Sequence, residues 1–211
     1  FTNAFEFVIM GLLSIRLARK GGFYYMDELL TEVKSLPGLI KQSTKALHDV
    51  KELVGTALFV ALDCVLGFFK IVIIPKTLEI GFSSLAMAGC SFLYGPVISG
   101  FAGVICDTLK YILNPSGAYM TLCALNEFLL GFIYGIFFYR KKITLKRVIV
   151  ARIVVVVLIN LTLTPLWLHL LYGKAYIFYV QVRILKNLLM LPFDVFLLYT
   201  VLKTVSKLQK K

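Results

Sequence analysis

From Glu52 onward the chain alternates long apolar runs with short polar breaks. Six runs are legible, near residues 53–70, 79–94, 96–113, 124–140, 148–171 and 177–203. An α-helix rises 1.5 Å per residue, so about 20 apolar residues cross a hydrocarbon core of about 30 Å. The breaks carry turn chemistry: IIPKTLE after the first run, Gly95-Pro96 after the second, then NPSGAY, RKKITLKR and YGKAY. The pattern predicts an all-α integral membrane protein with six transmembrane helices.

Before residue 51 the pattern differs. FTNAFEFVIMGLLSIRLARK holds a short apolar run interrupted by Glu6, with Arg16, Arg19 and Lys20 after it. A signal peptide has the opposite order, with positive charge before its apolar core. Met26 is a candidate biological start, which makes residues 1–25 an upstream extension of unknown role. Residues 26–50 are polar, helix-prone and broken at Pro37-Gly38, and read as a cytoplasmic lead-in. Residues 51–211 form the membrane domain.

Composition strengthens this reading. The chain is 59% hydrophobic and 16% charged with a mean hydropathy of +0.86, where soluble domains carry about 25% charged residues. The net charge of +12 would suit a nucleic-acid partner, but no recognition motif accompanies it. The basic residues gather instead at the ends of apolar runs, in Arg140 to Arg147 and Lys203 to Lys211. Excess Lys and Arg mark cytoplasmic loops. Six spans put both clusters on the side of the N-terminus, with Lys41, Lys45 and Lys51, so both termini are expected in the cytoplasm. The loops with Pro75, Asn114 to Tyr119, and Gly173 to Tyr176 then face outward.

Catalytic chemistry is thinly represented. No G-x-x-x-x-G-K-[ST] phosphate loop is present. Ser99 and His169 fall at opposite ends of their spans, about 30 Å apart, whereas proton transfer needs about 3 Å. Cys64, Cys90, Cys106 and Cys123 lack the paired spacing of a zinc site and read as small buried hydrophobes. Neither an enzyme nor a metal site is expected.

Polar residues inside the spans carry more information, because a charge at a membrane-helix centre costs about 2.5–3.5 kcal/mol. They are Asp63, Asp107, Lys110, Asn126, Glu127, Asn160, Arg183, Lys186, Asn187 and Asp194. Asp107 and Lys110 are spaced for a local i,i+3 pair. Arg183 lies about six residues, roughly 9 Å, below the outer end of the sixth run, and Asn187 shares its face. Together they form a candidate grip for a carboxylate and a polar ring edge; an ion pair of Arg183 with Glu127 or Asp107 is the structural alternative. Lys186 is turned partly away. In the outer loop Asn-Pro-Ser-Gly is turn chemistry, which an ordinary reversal between helices also explains, and Tyr119 offers a flat face for stacking on a planar ligand; Asn126 and Glu127, just inside the fourth run, present amide and carboxylate groups. Ala57 and Ala61 form a small-xxx-small spacing that lets another helix approach closely.

Four stretches, TALFVALDCVL, ILNPSGAY, LNEFLLGFIYGIFFYRKK and RILKNLLMLP, resemble the substrate-binding S components of energy-coupling factor (ECF) vitamin transporters, in particular the folate type. The similarity runs from about Val50 to Lys207, and Arg183 to Pro192 is its most specific part. It implies a multi-pass protein of a bacterial cell membrane that captures folate or a related vitamin from outside. It also implies docking on a membrane coupling subunit driven by two cytoplasmic ATPases, with no cofactor on this chain. Ala57 and Ala61 would face the coupling subunit; Arg183, Asn187, Asn114, Ser116 and Asn126 would contact the vitamin. Folate-type members continue N-P-[ST]-G with an aromatic-Pro-Gly-Phe-Thr stretch, where this chain has Tyr119-Met120-Thr121-Leu122-Cys123. Alternatives are an S component for pantothenate or a pyrimidine precursor, and a stand-alone secondary carrier.

Overall fold

The computed structural model describes residues 37–44, 49–74, 78–115, 121–172 and 176–209. The chain divides into two units, Phe1–Gly38 and Leu39–Lys211. The first lies almost wholly outside the described residues, as do residues 1–25 and most of the lead-in.

The second unit is helical apart from one hairpin. Helix α1 spans Val50–Phe68, with Asp49 as its N-cap: the carboxylate accepts from the Lys51 backbone N–H at 3.0 Å. Strands β1 (Lys70–Ile74) and β2 (Leu78–Gly81) pair antiparallel, Lys70 opposite Gly81 and Ile71 opposite Ile80. Helices α2 (Ser83–Tyr94) and α3 (Pro96–Leu113) meet at Gly95. Helix α4 covers Thr121–Phe138. Helix α5 has three consecutive segments: an α-helix at Leu145–Val155, a π-helix at Val156–Leu163 and an α-helix at Thr164–Tyr172. Helix α6 runs from Tyr176 to Leu208.

The helical class holds, with one addition and one correction. The β-branched run KIVII and the returning LEIG form a hairpin. For that reason the second apolar run, 79–94, is not one helix. Its first residues are strand, and α2 has only 12 residues, about 18 Å of rise against a core of about 30 Å. Among the described residues, four helices are long and apolar enough to cross a membrane, at Pro96–Leu113, Thr121–Phe138, Leu145–Trp167 and Lys186–Leu208.

Helix α2 joins two cores. On one side Val60 of α1, Met87 and Cys90 of α2, and Ala102 and Cys106 of α3 cluster. On the other, Phe92 of α2 meets Tyr134 and Phe138 of α4, Val148 and Val155 of α5, and Leu198 and Leu202 of α6. Helices α3 and α4 approach until backbone meets backbone. A Cβ on Gly131 would stand 2.3 Å from the Ser99 carbonyl oxygen, and one on Gly103 would stand 2.4 Å from that of Glu127. Ser99 uses the closeness, its hydroxyl donating to the Gly131 carbonyl at 2.8 Å. That bond gives Ser99 a structural role. Gly131→Val is therefore expected to force the helices apart and cost about 1–3 kcal/mol or more, read as a lowered thermal midpoint of the purified protein.

The α2–α3 corner is fastened by the lead-in. Residues 39–44 are helical, and fully buried Ser43 donates to the Tyr94 carbonyl at 3.1 Å while accepting from the Val97 N–H at 3.1 Å. It thereby satisfies an orphan donor at the start of α3, where Pro96 occupies the first turn. Gly95 holds φ at +88°, and a Cβ there would stand 2.8 Å from the Ser43 oxygen. This corner and the end of α4 at Tyr139 mark one end of the bundle, the end with the basic Arg140 to Arg147 loop.

Candidate ligand site

At the opposite end, polar side chains of α4, α5 and α6 face one another. Their placement begins with Pro165. A proline inside a helix offers no N–H to the carbonyl four residues back, and its ring crowds that carbonyl. The wider π-helix just before Pro165 relieves the crowding, and such segments are common at functional sites. The carbonyl in question is that of Leu161, and the Tyr176 hydroxyl of α6 donates to it at 3.2 Å.

The widened turn brings polar groups inward. Trp167 Nε1 donates to Asn126 Oδ1 at 3.1 Å, Asn126 Nδ2 donates to the Thr164 hydroxyl at 3.4 Å, and that hydroxyl donates to the Ile159 carbonyl at 2.9 Å. One turn deeper, Asn160 Nδ2 donates to Asn187 Oδ1 at 3.0 Å, and Asn187 Nδ2 donates to the Arg183 carbonyl at 2.8 Å. Both Asn126 and Asn187 are buried. Each amide is thus held by the protein, and each keeps spare hydrogen-bonding capacity.

Arg183 differs. Its side chain is half-buried, and among the described residues its guanidinium makes no hydrogen bond or ion pair. The ion pair with Glu127 or Asp107 considered from the sequence is not formed. Asn114 ends α3, exposed, its backbone N–H bonded to the Lys110 carbonyl at 3.0 Å. Lys186 is half-buried and engaged. Ser116 and Tyr119 lie outside the described residues.

Two other polar centres are closed by their own ion pairs. Lys110 of α3 reaches Asp63 of α1 at 2.6 Å, with the Asp63 side chain only 2% exposed. This replaces the local pairing with Asp107 expected from the sequence. Gly67 makes it possible, since its Cβ would stand 3.3 Å from the Lys110 stem. Deeper in the bundle, Arg152 of α5 pairs with Asp194 of α6 and donates to the Tyr134 hydroxyl at 3.1 Å. A small cleft, with room of about 10 Å³, opens there, lined also by Gly81 and Ser84. Its charges already satisfy one another.

Cys64, Cys90 and Cys106 are buried as expected, whereas Cys123 is exposed. Among the described residues no group of His, Cys, Asp and Glu is placed to hold a metal. Ala57 and Ala61 sit on an exposed stripe of α1 with Leu58, Leu62 and Val65. Gly55 points inward, where its Cβ would collide with the Tyr94 hydroxyl.

The pairing of Asn160 with Asn187 and the role of Trp167 were not anticipated from sequence. The signal available was Asn160 followed by Thr164-Pro165 in an otherwise apolar run.

Fold and site together define a multi-pass helical membrane protein with a polar interior toward one end. The family model described as "ECF-type riboflavin transporter, S component" matches residues 48–195. A folate transporter FolT of Clostridium novyi is 33% identical over 77% of this chain and 94% of its own length. A FolT of Leuconostoc mesenteroides is 28% identical over 77% and 91%. A solved structure, described as FolT bound with folic acid, superposes with a TM-score of 0.68 at 31% identity, covering 74% of this chain and 95% of that one. The chain belongs to the S components of ECF-type transporters, in the folate-type branch. It is a transporter component, not an enzyme.

Proposed function

We propose that this chain captures folate from outside a bacterial cell membrane and delivers it through a separate membrane coupling subunit driven by two cytoplasmic ATPases. The observation that carries the reading is the Arg183 guanidinium, unpaired among the described residues, seven residues into α6 and beside the Asn187–Asn160 pair. A guanidinium in that position suits the glutamate carboxylates of folate. Asn126, Asn187 and Lys186, with Asn114, Ser116 and Tyr119 from the neighbouring loop, complete the ligand set. Two relatives and a solved neighbour bearing the folate transporter name support folate over riboflavin, which the family description names.

In this reading all six apolar runs lie in the membrane, both termini and the basic loop face the cytoplasm, and the ligand end faces outward. ATP is used by the partners, and the chain itself carries no cofactor. Cys123 then offers a direct check, because it is exposed while the other three cysteines are buried. A membrane-impermeant maleimide added outside intact cells should label Cys123, and saturating folate should slow the labelling. Labelling only after permeabilisation would reverse the orientation.

Ala57 and Ala61 form the part of the exposed α1 stripe on which the coupling subunit seats. Ala57→Leu with Ala61→Leu should leave folate binding within about twofold and remove energised uptake. The deciding experiment is folate accumulation in proteoliposomes, with this chain alone and with the coupling subunit and ATPases. Accumulation only with partners and ATP is the expected result; accumulation by the chain alone would make it a secondary carrier.

A further inference from the structure

Helices α5 and α6 are both irregular, and their irregularities lie at one level of the bundle. In α6 the break is Pro192, inside the helix. It offers no N–H to the Leu188 carbonyl four residues back, and its ring crowds that carbonyl. In α5 the break is the π-helix Val156–Leu163. Prolines and π-turns are among the few features that let a helix bend sharply.

Two side-chain contacts between these same helices bracket both breaks. On the ligand side, Asn160 Nδ2 donates to Asn187 Oδ1 at 3.0 Å. On the side of the basic loop, Arg152 pairs with Asp194 and donates to the Tyr134 hydroxyl of α4 at 3.1 Å. From Asn187 to Asp194 on α6, and from Arg152 to Asn160 on α5, is about 10–12 Å of helix rise. Pro192 and the start of the π-helix both fall between those limits.

Packing differs across the break in α6. Among the described residues, Val195, Leu198 and Leu202 are buried beyond Pro192, in one core with Val148, Ala151 and Val155 of α5. On the ligand side of Pro192 only Asn187 is buried among them. Segments with few buried apolar contacts are the ones that move first.

We propose that α5 and α6 hinge together at this level. Their ligand-side halves, carrying Asn160, Arg183 and Asn187, swing as one unit against halves pinned by the Arg152–Asp194–Tyr134 contact, and the swing opens and closes the ligand site. The Asn160–Asn187 bond keeps the moving halves in step, and the buried ion pair keeps the bend out of the core. The place of Arg183 and Asn187 in the ligand site rests on the folate reading; the hinge rests on the two breaks and their brackets.

The test is pulsed electron–electron spin resonance on the full chain in lipid nanodiscs, with Cys123→Ser to remove the exposed native thiol. One label pair joins Phe101→Cys of α3 to Ile184→Cys, on the ligand side of Pro192. The other joins Phe101→Cys to Phe196→Cys, on the far side; all three positions are exposed. Without ligand, the Ile184 pair should give the broader distance distribution. Pro192→Ala, which restores the N–H and removes the ring, should narrow it toward the width of the Phe196 pair, which itself stays unchanged. Saturating folate should also narrow the Ile184 pair alone. Equal widths before any substitution at Pro192, or a width that Pro192→Ala leaves unaltered, would overturn the hinge. Folate that binds by calorimetry without narrowing the Ile184 pair would overturn its part in closing the site. Absence of folate binding would instead remove the folate reading, and the widths without ligand would still decide the hinge.

Discussion

Arg183→Ala should weaken folate binding about 100-fold or more, with the protein still inserted and folded. The guanidinium is the cation of the site with no partner among the described residues, so its removal leaves no orphaned carboxylate behind. Folding therefore has little reason to suffer. A bidentate contact with a ligand carboxylate comprises two charge-assisted hydrogen bonds of about 1.5–3 kcal/mol each, and 1.4 kcal/mol is a factor of ten in affinity. Arg183→Lys keeps the charge but not the planar fork, and should fall between the two. Calorimetric titration of both variants, with thermal unfolding as the folding control, reads these effects. Unchanged affinity in Arg183→Ala would move the anion site elsewhere.

The largest effect on stability is expected at Asp63. Its carboxylate is buried and contacts Lys110, whose own side chain is 26% exposed. Asp63→Ala would take away the carboxylate that the ammonium contacts beside the Gly67 face of α1. Breaking a buried pair from one side costs about 3–5 kcal/mol, whereas replacing both partners with apolar groups is often neutral. Asp63→Ala should therefore lower the thermal midpoint markedly, and adding Lys110→Met should restore most of the loss. A double variant no more stable than Asp63→Ala would mean that the pair is not what joins α1 to α3 there.

Much of the architecture is written in local pattern. The apolar runs after residue 50 locate the helices, Gly95-Pro96 locates the α2–α3 corner, and Thr144 caps α5 by accepting from the Arg147 N–H. What escaped the pattern depended on partners distant in sequence. The run 79–94 has suitable apolar content for a span, but its first residues pair with Lys70–Ile74. Lys110 has an acid three residues away on its own helix, yet pairs with Asp63, 47 positions earlier in the numbering. Asn187 suits a ligand by residue type and face, but its engagement with Asn160 depends on the π-turn before Pro165. Hydropathy does not record a change in helical pitch.

The site was legible to the same degree. Arg183 stood out because an arginine in an apolar helix needs a reason, and among the described residues no protein group supplies one. Glu127 was visible as a polar residue in a span and as a candidate ion-pair partner of Arg183, a pair the fold does not form.

The most direct measurement is a calorimetric titration of the purified full chain with folate, followed by competition with riboflavin. Saturable binding at nanomolar concentration, one folate per chain and not displaced by riboflavin, is the predicted result. Folded protein that ignores folate and binds riboflavin would keep the family and contradict the assigned ligand.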